Sequence, residues 1–138
     1  MMVDEVQTGI GRTGTLFGYE HFGIEPDVIA LAKGLGGGMP IGAMMAKDFC
    51  ASAFGPGDHA ATFGGNFLST TAGLTVLAEI DRMHLLVNAQ KQGAYLQERA
   101  KKLQEKYDFI QEVRGLGLMQ GIVLNETSLV NAIRLEAA

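Results

Sequence analysis

Glycine punctuates this chain more than any other residue. Nineteen of the 138 residues are glycine, and all but Gly73 and Gly93 are gathered at 9–23, 34–42, 55–65 and 115–121. Several separate backbone positions must therefore turn tightly or approach a neighbour closely. Apolar, aromatic and charged residues are mixed into each cluster, unlike a low-complexity linker. Between the clusters lie apolar runs short enough for strands and two longer stretches of helical period.

The first cluster, in "DEVQTGIGRTG", places Gly9, Gly11 and Gly14 at the spacing of a dinucleotide-binding turn. Such a turn needs a strand running into the first glycine, a helix opening at the last, and an acidic residue about 20 positions later. Asp4, Glu5 and Gln7 interrupt the apolar run Met1-Met2-Val3 before the glycines. The stretch "TLFGYEHFGIEP" after them, with Gly18, Gly23 and Pro26, is a poor start for a helix facing a pyrophosphate. A loop with another purpose is the better reading.

Composition narrows the function classes. With 47% hydrophobic and 19% charged residues, the chain can form one domain with a core. Its apolar runs are too short to span a membrane, and no secretory leader opens it. Net charge is −4 with no basic tract, which argues against nucleic acid or an anionic membrane as partner. A lone Cys50 suits a reducing, cytoplasmic setting. His21, His59 and His84 lack metal-ligand spacing, and "NET" at Asn125 reads as a chance glycosylation match.

Elements alternate along the chain. Val28 to Ala32 reads as a strand buried on both faces and ending at Lys33; Ile41 to Ala46 reads as another, after the turn "GLGGGMP". A helix is predicted from Leu68 to Met83 and a longer one from Leu85 to Lys106, its outer face rich in Lys, Gln, Glu and Arg. Two β-like runs joined by a glycine turn follow in "FIQEVRGLGLMQGIVL", and a last helix begins near Ser128. The shift from a glycine-rich apolar part to a charged part places a domain boundary near His84, dividing 1–83 from 84–138.

This architecture puts Asp4 and Lys33 at the carboxyl ends of strands, the edge where open α/β sheets bind ligands. A lysine ending a buried strand is expected in an apolar place that favours the neutral amine, the form that attacks a carbonyl to give a Schiff base. An aspartate nearby could keep a pyridine nitrogen protonated. That is the division of labour between lysine and carboxylate around pyridoxal phosphate (PLP).

"DEVQTGIGRTG", "PDVIALAKGLGGGMPIGAMMAK" and "GDHAATFGGN", in this order, closely resemble the class III (subgroup II) PLP-dependent aminotransferases, most of all the branch acting on acetylornithine. The resemblance runs from Met1 to about residue 122. It implies α/β architecture, as a fragment of a fold type I PLP-dependent transferase: residues 1–83 from the cofactor-binding large domain and 84–138 from the start of the small C-terminal domain. It further implies that Lys33 carries PLP, Asp4 faces the ring nitrogen, Val6 packs on the ring and Gln7 bonds the phenolic oxygen. Thr62 corresponds to the residue reaching the phosphate in the neighbouring subunit of a homodimer, with Gly64 and Gly65 allowing close approach. The "TGIGRTG" loop lies beside the site, and Arg12 is expected to stabilise it through an ion pair, a substrate-facing charge being the alternative.

The implied reaction moves the amino group of N-acetylornithine, a step of arginine biosynthesis, to 2-oxoglutarate. An ornithine or 4-aminobutyrate aminotransferase, or a non-catalytic module, are the alternatives. Phe67 stands where the family usually enters its helix through proline, and Ala60-Ala61 replace the usual Gly-Ser.

Overall fold

A computed structural model describes residues 1–136. Two small sheets are joined by two long helices. Strand β1 (Met2–Asp4) pairs in parallel with β2 (Val28–Leu31), Asp4 lying opposite Ala30, and β2 pairs antiparallel with β3 (Ala43–Ala46). Alternate residues of the central strand carry the packing: Ile29 and Leu31 are buried, while Val28 and Ala30 are half-covered.

The run from Ile41 was expected to be a second strand buried on both faces. Instead β3 begins at Ala43 and all four of its residues are exposed. It is an edge strand paired on one side only, with neither face covered by the described residues. Pro40, which has no amide hydrogen, and Gly42 leave residues 40–42 outside the ladder. Lys47 pins the strand's end by ion pairs to Glu25 and Asp27, at 3.0 and 3.5 Å.

A four-residue helix α1 (Asp48–Ala51) precedes an open loop, and α2 (Phe67–Arg82) follows. The missing proline at its start is offset by a cap: Asn66 Oδ1 accepts from the Ser69 N–H at 2.9 Å, satisfying a first-turn donor. Gly73, buried on α2, faces the Leu35 carbonyl, and a Cβ there would be in ordinary contact with the oxygen at 3.4 Å. Helix α2 thereby presses on the segment just after Lys33.

His84, at φ +51°, breaks the helical run between α2 and α3 (Leu85–Lys106). Helix α3 buries Ala89 and Gly93 and leaves its charged face to water. It packs against an antiparallel hairpin, β4 (Ile110–Leu116) and β5 (Met119–Leu124), and α4 (Thr127–Glu136) follows. No described helix is long and apolar enough to cross a membrane.

Candidate active site

Strands β1 and β2 run in the same direction, so their carboxyl ends open on one edge. Asp4 closes β1, and Lys33 lies two residues beyond the end of β2, where it opens a 3-10 helix (Lys33–Gly36). Lys33 has φ +45° and Ile10 φ +57°. Left-handed backbone costs a residue with a side chain roughly 1–2 kcal/mol, and such strain concentrates where function demands a geometry. Both residues line one cavity of about 290 Å³, shared with Val6, Gln7, Arg12 and Leu118.

Within that cavity the Lys33 ammonium donates to Gln7 Oε1. The lysine is exposed, contrary to the apolar setting expected of it. Its cavity is walled by the loop after β1, the end of α2 and the beginning of α3, and the remaining side is open to water. Arg12 also departs from expectation. Its side chain has no carboxylate partner among the described residues, and the loop is held without it, by backbone bonds and by side chains from elsewhere.

Asp4 is exposed and accepts the Val6 N–H at 2.9 Å through Oδ1. It opens onto an adjoining cavity of about 570 Å³, walled by Val3, Thr8, Phe22, Arg114 and Met119 among others. The structure thus brings Val6, Gln7 and Lys33 together and sets Asp4 on the neighbouring cavity. Thr62 is exposed in the loop before α2 and lines neither. Its neighbours Ala61, Phe63, Gly64 and Gly65 border a third, open cleft against Met39–Met44.

One residue central to this geometry escaped the sequence reading. Glu5 is 1% exposed, the largest side chain fully buried among the described residues. Its Oε2 accepts from Thr8 Oγ1 and from the Gly18 N–H at 2.9 Å, and its Oε1 accepts from the Tyr19 N–H at 2.8 Å. It folds the segment after the glycine loop back onto the end of β1. A carboxylate beside Asp4 gives no sign of this role, because its partners are amides 13 and 14 residues away.

The glycine loop itself excludes the dinucleotide reading. Turns and bends run from Val6 to Phe17 and lead into a five-residue 3-10 helix at Gly18–Phe22, with no helix opening at Gly14.

Lys33, strained and bonded to Gln7, thus stands at the carboxyl edge of two parallel strands under helices α2 and α3, the edge where open α/β sheets bind ligands. The aminotransferase class-III family model matches residues 1–138, and the chain belongs to that family. It is 56% identical over 120 residues to the acetylornithine aminotransferase of Caldanaerobacter subterraneus subsp. tengcongensis, covering 87% of this chain and 30% of that protein. To the acetylornithine aminotransferase of Gloeobacter violaceus it is 53% identical over 136 residues, 98% of this chain and 34% of the other.

Among solved structures, an acetylornithine aminotransferase from Elizabethkingia anophelis superposes with a TM-score of 0.85 at 40% identity, covering 91% of this chain and 32% of that one. The ornithine delta-aminotransferase of Plasmodium falciparum gives 0.87 at 39%, covering 97% and 35%. The fold is accordingly a part of the fold type I architecture. The chain spans about a third of the length of the curated relatives it matches.

Proposed function

We propose that this chain is the lysine-bearing segment of a PLP-dependent aminotransferase that moves the amino group of N-acetylornithine to 2-oxoglutarate, in arginine biosynthesis. The observation that carries the reading is Lys33: a primary amine held in left-handed backbone at a strand end, hydrogen-bonded to Gln7 across a cavity. The family membership and the acetylornithine aminotransferases at 56% and 53% identity support the substrate.

The side chains present fit PLP by the chemistry of their groups. Lys33 offers the amine that holds an aldehyde, Gln7 an amide for a phenolic oxygen, and Val6 an apolar face for a ring. The Asp4 Oδ2 atom, free of the Val6 amide, suits a pyridinium N–H. Bound there, PLP supplies the electron sink that transamination requires. Lys33 Nζ is the group that carries a proton to and from the substrate carbon, and Asp4 sustains the positive charge on the ring nitrogen. Thr62, on an exposed loop apart from Lys33, serves the phosphate of a neighbouring subunit, so that the complete site belongs to a cytoplasmic homodimer. Residues 1–83 then belong to the large domain and 84–138 to the beginning of the small one.

The test is a donor panel, run with a full-length aminotransferase carrying this segment and with 2-oxoglutarate as acceptor. N-acetylornithine should give the highest kcat/KM. Preference for ornithine or 4-aminobutyrate would overturn the substrate, and absence of transfer from all three would overturn the activity.

A further inference from the structure

Three glutamines recur at seven-residue intervals along α3, and each gives its side-chain amide to a backbone carbonyl of a neighbouring element. Gln104 donates to the Gln111 carbonyl at 2.8 Å and Gln97 to that of Gly115 at 3.4 Å, both on the hairpin strand β4. Gln90 donates to the Gly14 carbonyl at 2.7 Å, 76 residues away in sequence. Seven residues are nearly two helical turns, so the three lie along one face. The first of them leaves the hairpin and grips the loop after β1.

Around that bond, backbones are in contact that side chains would hold apart. A Cβ on Gly93 of α3 would lie 2.2 Å from the Gly117 carbonyl oxygen, and one on Gly117 would lie 2.4 Å from the Thr13 carbonyl carbon. Gly14, at φ +94°, has no room either, since its Cβ would meet Gln90 Cγ at 2.6 Å. Helix, hairpin turn and loop are therefore stacked backbone on backbone. The Leu118 N–H, next in the turn, donates to the Arg12 carbonyl at 2.9 Å. Both Arg12 and Leu118 line the Lys33 cavity.

We infer that Gln90 is a positioning residue: through the Gly14 carbonyl it sets the loop Gly9–Gly14, of which Gly9 to Arg12 wall the Lys33 cavity, in register with α3 and the hairpin. The inference rests on the aminotransferase reading of that cavity. Lys33 and Asp4 belong to the ends of the strands and not to the loop. Loosening the loop therefore shifts the cavity wall made by Ile10, Gly11 and Arg12 and leaves the proton-moving groups in place, so the loss falls on KM rather than kcat.

The experiment uses the holoenzyme of a full-length aminotransferase carrying this segment. Gln90→Met keeps length and packing but removes the donor; Gln90→Lys keeps a donor of similar reach. Gln90→Met should raise KM for the amino donor about fivefold, the equivalent of one neutral hydrogen bond, with kcat within about twofold. Hydrogen exchange at the amides of residues 12–15 should quicken in parallel, and Gln90→Lys should restore both. If Gln90→Met does not fold, Gln90→Glu, which sets an acceptor against the Gly14 carbonyl, is read in its place. Unchanged KM and exchange would overturn the inference, as would lowered thermal stability with no change in KM. An unmutated enzyme that transfers no amino group would instead sink the aminotransferase reading itself, while faster exchange on substitution would still report the Gln90 contact.

Discussion

Lys33 and Gln7 meet across the gap between two parallel strand ends, the lysine ammonium donating to the Gln7 side-chain carbonyl. Neither residue lies in a strand. One follows β2 in a strained turn and the other follows β1 in a glycine-rich one. Their contact is thus fixed by the pairing of the strands behind them, with Asp4 opposite Ala30.

Removing Gln7's amide while keeping its bulk should loosen the cofactor and spare the fold. In the full-length enzyme, Gln7→Leu loses one charge-assisted hydrogen bond, and the Kd for PLP should rise about tenfold. Equilibrium dialysis with absorbance measures it. An unchanged Kd would make Gln7 a solvated loop residue.

Glu5 should matter for stability more than any other polar side chain. It accepts three hydrogen bonds at 1% exposure, and its removal strands two backbone N–H groups under the loop. Glu5→Ala should cost about 3–5 kcal/mol, and Glu5→Gln, which turns an NH₂ toward donors, should also destabilise. Denaturant unfolding of the full-length enzyme reads both. A loss within surface range, about 0.5 kcal/mol, would show that the segment is held by other contacts.

The chain by itself should associate. Among the described residues the buried apolar ones are few, namely Ile29, Leu31, Leu35, Ala89 and Ile110, whereas Phe67 is 91% and Leu74 70% exposed and β3 is an uncovered edge. Apolar faces and open edges of this kind recruit other chains. Sedimentation of the isolated segment should show oligomers or aggregates without cooperative unfolding; a monomer with a sharp transition would contradict this.

Acid should weaken the two long helices. Lys102 bonds Glu98 at 2.6 Å within α3, and Arg82 bonds Glu79 at 2.6 Å within α2; these partners hold both carboxyls below the ordinary glutamate value. A carboxyl with a depressed folded-state value contributes stability above its unfolded value and loses it as pH falls through the folded one. Melting temperature should therefore decline on acidification below the usual glutamate range, less steeply in Glu98→Gln and at high salt. Identical slopes in variant and parent would show that the pair contributes nothing.

Much of this was legible along the chain, and the reasons differ by element. Helix α3 occurs over Leu85–Lys106, as its period indicates, because an amphipathic stripe is a local property. The strand before Lys33 and the hairpin were likewise visible as apolar runs bounded by turns. Exposure was not: β3 and Lys33 read as buried because an apolar run signals burial only where another element covers it. Glu5 and Gln90 were invisible for a different reason. Each bonds backbone groups, which carry no sequence signature, at separations of 13 to 76 residues.

If Lys33 is the residue that holds PLP, borohydride will show it. Reducing the PLP-loaded full-length enzyme fixes the cofactor to whichever amine holds it, and peptide mass mapping then locates the label. Label should appear on the peptide containing Lys33 and not on Lys47, and it should be lost in Lys33→Ala even when PLP is supplied in excess. Stoichiometric label on any other lysine, or label that persists in Lys33→Ala, would contradict that role for Lys33.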